Sequence, residues 1–104
     1  DPVIEGLISE IEDNLSNKHF GVLNLSERVA LSDRQLTRIV KKSIGMTAAG
    51  LIRNVRLQKA KDYLETKKYR SVTEVSYAVG FEKPSHFTKI YFDRYGKKPS
   101  SYFG

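Results

Sequence analysis

Residues 22–31 run VLNLSERVAL, and residues 72–81 run VTEVSYAVGF. Aligned, the two stretches pair Val22 with Val72, Leu25 with Val75, Ser26 with Ser76, Val29 with Val79, and Leu31 with Phe81. The likeness continues through Leu36 and Phe87, Val40 and Tyr91, Gly45 and Gly96, and Thr47 and Lys98. The offset is 50 residues as far as Leu31 and Phe81 and 51 afterwards, so the second copy carries one extra residue in its turn. Internal similarity at such a period is a fold-level signal that outranks local propensity. Each copy predicts a short helix, a tight turn and a longer helix.

Outward from the repeat the chain is helical throughout. Ile4, Leu7, Ile8, Ile11 and Leu15 recur at helical spacing over residues 2–15, with Asp1 as N-cap and Pro2 at the first helical position. A polar break spans 17–21, and residues 22–30 form a short helix with Val22, Leu25 and Val29 inward. Ser32 caps the next helix, from Asp33 to about Ser43, which Gly45 ends. Thr47 caps a long helix to Glu65, with Leu51, Ile52, Val55, Ala60 and Leu64 on one buried stripe. Residues 66–71 form a loop, 72–79 a short helix, 83–95 a second long helix of the repeat, and 97–102 a closing turn. No segment alternates with the period of a strand. The fold class is all-α, about seven helices in two lobes: residues 1–46, a linker helix 47–65, and residues 66–104.

Composition narrows the partners. Of 12 acids, five (Asp1, Glu5, Glu10, Glu12, Asp13) precede the first base. The remaining seven face 18 bases over residues 16–104, a balance of +11. Such a body favours a polyanion, nucleic acid before an anionic membrane surface. No apolar run approaches the roughly 20 residues of a membrane span. With no cysteine, disulfides and thiolate metal sites are excluded, in keeping with a cytoplasmic location. The chain opens without a methionine, as expected of a fragment of something longer.

The repeated unit has the signature of a helix-turn-helix. Two helices cross steeply over a small core while the second lies in a major groove. Close crossing demands a small residue on the first helix, here Ser26 and Ser76. The turn favours a positive dihedral at Gly80 and makes Ala30 less comfortable. Leu31, Leu36, Val40 and their partners Phe81, Phe87 and Tyr91 belong to the core, Tyr91 also lying at the margin of the outer face. Candidate DNA-contacting residues occupy that outer face: Ser32, Arg34, Gln35, Thr37, Arg38 and Lys41 in the first copy, and Ser85, His86, Thr88 and Lys89 in the second. Arginine is the usual partner of guanine O6 and N7, and Arg34 and Arg38 share a face one turn apart. Lys42, Arg94, Lys97 and Lys98 come late and suit phosphates, which set register. Ser32 and Ser85 also bring helix-start amides toward a phosphate.

These residues resemble the AraC/XylS type of bacterial transcription regulator. The resemblance is carried by Gly80-Phe81, His86-Phe87, Gly96, Pro99 and Tyr102, and by the linker run Ile52, Arg56-Leu57, Ala60, Leu64. It implies seven helices in two helix-turn-helix lobes that place both recognition helices in successive major grooves of double-stranded DNA. It also implies recruitment of RNA polymerase and a covalently attached sensing or dimerising region outside this fragment. The acidic first helix looks like that of output domains in hybrid two-component sensors. Ala48 stands where the family favours proline, Leu51 where it often has an aromatic, Phe103 where it closes on arginine, and Ser26 and Ser76 where alanine is usual.

Competing readings stay beside this one. A helical protein-interaction module is the main alternative, its acidic first helix and basic body docking separate partners. RNA stacking requires exposed rings among the ten of 11 aromatics that lie at or after Tyr63. His19 and His86 are far apart, and no metal spacing, phosphate loop or nucleophile elbow is present, so neither catalysis nor a cofactor is expected.

Overall fold

The computed structural model describes residues 1–104 and contains six α-helices and no strand. They are α1 (Pro2–Asp13), α2 (Val22–Arg28), α3 (Asp33–Ile44), α4 (Ala48–Glu65), α5 (Val72–Ala78) and α6 (Pro84–Tyr95), followed by a 3-10 turn over Pro99–Phe103. The caps follow the side chains expected of them. Asp1 accepts from the Val3 amide at 2.9 Å with Pro2 in the first turn, and Thr47 Oγ1 accepts from the Gly50 amide at 2.9 Å. That hydroxyl starts α4 without the proline for which Ala48 substitutes.

The repeat in sequence is a repeat in structure. Helices α2 and α5 have 7 residues each, and α3 and α6 have 12. Four residues separate α2 from α3 and five separate α5 from α6, so the extra residue lies in the turn. The buried Ser26 hydroxyl donates to Leu23 O and the buried Ser76 hydroxyl to Thr73 O, both at 2.8 Å. A serine therefore serves where a small residue must fit, because its own helix satisfies its polar atom. The Leu31 amide donates to Ser26 O and the Phe81 amide to Ser76 O, closing equivalent turns. Gly45 and Gly96 end α3 and α6 with nearly the same left-handed geometry, φ 70° and 69°.

In the turns that join α2 to α3 and α5 to α6, Ala30 stands at φ 55° and Gly80 at φ 87°. Left-handed backbone costs a residue with a Cβ about 1–2 kcal/mol, while glycine gives back up to about 1 kcal/mol in chain entropy. Ala30→Gly should therefore stabilise the chain by about 0.5–1 kcal/mol, and Gly80→Ala should destabilise it by about 1–2 kcal/mol. Urea denaturation measures both. A loss on Ala30→Gly would contradict the assignment of strain.

The chain divides into two compact units, Asp1–Leu15 with His19–Val55, and Ser16–Lys18 with Arg56–Gly104. The first has an aliphatic core in which Leu7, Ile11, Leu25, Leu36 and Val40 are essentially inaccessible. In α2 it is Leu25 and Ser26 that are buried, whereas Val22 and Val29 are only half-buried and Val29 forms the C-cap. The second unit centres on aromatics: Phe81 and Phe87 rings lie 5.2 Å apart, Phe87 and Tyr91 5.7 Å, Tyr91 and Tyr95 4.7 Å. Tyr91 is fully buried, which corrects its placement at the margin of the outer face, and its hydroxyl meets that of Tyr102 at 2.9 Å. Burial and this hydrogen bond hold the Tyr91 phenol above the usual tyrosine range.

Helix α4 contributes to both units. Ala48, Leu51, Ile52 and Val55 are buried in the first, and Leu57, Ala60 and Leu64 in the second. The single stripe expected of this helix is therefore two stripes. Between them Arg56 is itself buried, 6% exposed, donating from Nη1 to Val79 O at 2.7 Å and from Nη2 to Asn17 O at 3.1 Å. Burial lowers its affinity for the proton below the ordinary arginine value.

Candidate nucleic-acid interface

In each unit the helix after the turn has one face in the core and one in solvent. On α3, Leu36 and Val40 point inward; Arg34, Thr37, Arg38, Lys41 and Lys42 are exposed and line one shallow groove of about 530 Å³. Residues 34, 37, 38 and 41 fall at i, i+3, i+4 and i+7, so their tips form a single stripe along the helix. Neither arginine makes an ion pair within the chain, and their donors remain available. The first turn is occupied differently. Ser32 Oγ accepts from the Gln35 amide at 3.1 Å, and Gln35 Oε1 accepts from the Ser32 amide at 2.9 Å. This capping box uses the oxygens of both candidates and two of the amides expected to face a phosphate, leaving the Gln35 side-chain nitrogen as a donor.

On α6 the register shifts by 51 and the chemistry changes. Ser85, Thr88, Lys89 and Phe92 take the places of Arg34, Thr37, Arg38 and Lys41. Ser85, His86 and Lys89 are exposed and Thr88 is half-buried. Lys89 Nζ lies 3.8 Å from Asp93, an exposed pair one turn apart. The His86 ring stands edge-on to Phe81 at 5.9 Å, which orients the imidazole as it leaves the first turn. Helix α6 starts at Pro84, one residue later than expected, with Lys83 as an N-cap whose side chain makes no capping bond. The late cations are exposed but oriented by rings: Arg94 lies 5.5 Å from the Tyr95 ring centre and Lys97 4.0 Å from that of Tyr102. Lys98 is exposed just before the closing turn.

Residues 25–104 match the helix-turn-helix domain family. The chain belongs to the AraC type of that family. It is 34% identical over 92 residues to Histidine kinase P4 of Formosa agariphila, covering 88% of this chain and 7% of that one. It matches the C-terminal domain of the two-component response regulator yesN from Fusobacterium nucleatum at TM-score 0.85 and 27% identity, over 100% of both chains. It matches the DNA-binding domain of the global transcriptional factor AdpA, solved with a target DNA, at TM-score 0.83 and 25% identity, over 96% of this chain and 88% of that one. The chain spans from 7% to 32% of the length of three curated relatives that it matches.

Two residues of this AraC-type domain escaped the reading of the sequence. Arg56 was visible only as part of the linker run; its carbonyl partners lie 23 and 39 residues away, beyond any local pattern. Phe92, 46% exposed on the outer stripe of α6, breaks the rule that this face carries donors, and the repeat register alone would have located it. Phe103, where the AraC pattern has arginine, lies beneath Lys67, whose Nζ is 5.5 Å from the ring centre, so a cation stays at that corner.

Proposed function

We propose that the chain is the DNA-reading part of a bacterial transcription regulator, with α3 and α6 each laid in a major groove. The observation that carries this reading is the exposed stripe Arg34, Thr37, Arg38, Lys41, and its counterpart on the helix after the second turn. Arg34 and Arg38 read base edges. Ser85, His86, Thr88, Lys89 and Gln35 supply further donors and acceptors, with Ser32 fixing the start of α3. Lys41 stands at the far end of the stripe. Lys42, Arg94, Lys97 and Lys98 hold phosphates and set register. The relative solved on its target DNA supports a duplex partner. Phe81, Phe87 and Tyr91 are buried, so the rings of the second repeat's core take no part in RNA stacking.

In the cell the domain works in the cytoplasm, attached to a sensing or dimerising region and positioning RNA polymerase. Likeness to a histidine kinase and a response regulator supports a place at the output end of a two-component system. No helix is long and apolar enough to cross a membrane.

A gel-shift titration over salt tests the electrostatics. With about six phosphates neutralised, log affinity should fall with log salt at a slope near −5. A flat response would contradict the proposal.

A further inference from the structure

The two recognition helices share a register but not a chemistry, and the difference is sharpest at its last position. Where α3 continues Arg38 with Lys41 and Lys42, α6 continues Lys89 with Phe92 and Asp93. Asp93 draws the only cation of the α6 stripe to itself. An aromatic ring beside a carboxylate is a poor match for phosphate, so residues 92 and 93 do not neutralise the backbone, a part left to Arg94 beside them. The Phe92 ring is 46% exposed and stacks on no other ring, unlike Phe81, Phe87, Tyr91 and Tyr95 around it. An apolar side chain on a groove face has one apolar feature to meet there, the C5-methyl group of thymine.

The geometry points to Phe92 as a specificity residue that contacts a thymine methyl in the half of the site met by α6. This rests on the reading of α6 as a groove helix. Ser85 and Phe92 are seven residues apart, about 10.5 Å along the helix axis, so the thymine lies about three base-pair steps of ~3.4 Å from the pair facing Ser85. The second unit thus adds a methyl contact to the hydrogen bonds of Ser85, His86, Thr88 and Lys89, in place of the paired arginines of α3.

The test uses this chain and duplexes selected from a random pool. Each thymine in the α6 half-site is replaced in turn by deoxyuridine, which removes only the methyl group. At one position affinity should fall about fourfold, the worth of one buried methylene-sized group. Phe92→Ala should weaken binding to the thymine duplex by a similar factor and make thymine and deoxyuridine equivalent. Phe92→Leu, which keeps an apolar tip, should retain part of the preference. Equal wild-type affinity for thymine and deoxyuridine at every position, with sequence-selective binding intact, would overturn the assignment. Failure of the groove reading would show earlier, as no selective binding before any base is altered, and would take this assignment with it.

Discussion

Arg56→Ala should lower the stability of the chain by about 3 kcal/mol, more than any substitution on the exposed face. Hydrogen bonds to charged groups contribute about 1.5–3 kcal/mol each, and a buried acceptor left without a donor costs about 1–3 kcal/mol. Arg56 makes two such bonds to carbonyls, at 2.7 and 3.1 Å, from a side chain only 6% exposed. One of those carbonyls, Val79 O, belongs to the C-cap of α5, where helix geometry leaves carbonyls without a helical partner. The guanidinium therefore fastens the turn between α5 and α6 to the middle of α4. Lysine offers a point charge instead of a planar fork, so Arg56→Lys should recover well under half of the loss. Guanidinium denaturation of the three proteins measures the series. A loss below about 1 kcal/mol in Arg56→Ala would contradict the role assigned to this residue.

The second large effect lies in binding. Arg34→Ala and Arg38→Ala should each cost about 1–3 kcal/mol of affinity at one base pair, roughly five- to 150-fold, and relax the preference there. Both side chains are exposed and free of acids, so stability should move by no more than about 0.5 kcal/mol. They share one groove face, so the double variant is expected to depart from additivity. Lys89 answers Arg38 in register but is already drawn to Asp93, and its removal should cost less. Competition gel shifts against single base-pair variants of a selected site check the pattern. A loss spread evenly over all duplexes would reassign both arginines to the phosphate backbone.

Much of the fold was legible because its determinants are local. The 50-residue period located both helix pairs, and the shift to 51 located the longer turn. Asp1, Ser32 and Thr47 announced their helices through cap chemistry, and Ala30 stood out as a turn residue carrying a Cβ where its partner in the repeat is glycine. What stayed hidden depends on distant contacts. The linker helix appeared to have one stripe because periodicity cannot show that Leu51 and Leu57 bury themselves in different units. Tyr91 has both an apolar ring and a donor, and only the packed Tyr102 shows that its hydroxyl is satisfied inside. Ser32 and Gln35 were legible as polar residues at a helix start, but their reciprocal cap leaves fewer free groups than their types suggest.

The central claim is that both units read the same duplex, and hydroxyl-radical footprinting on a duplex selected from a random pool tests it most directly. The account predicts two protected patches about one helical turn apart, roughly 10 base pairs centre to centre. A single patch, or a pool with no enriched sequence, would contradict it.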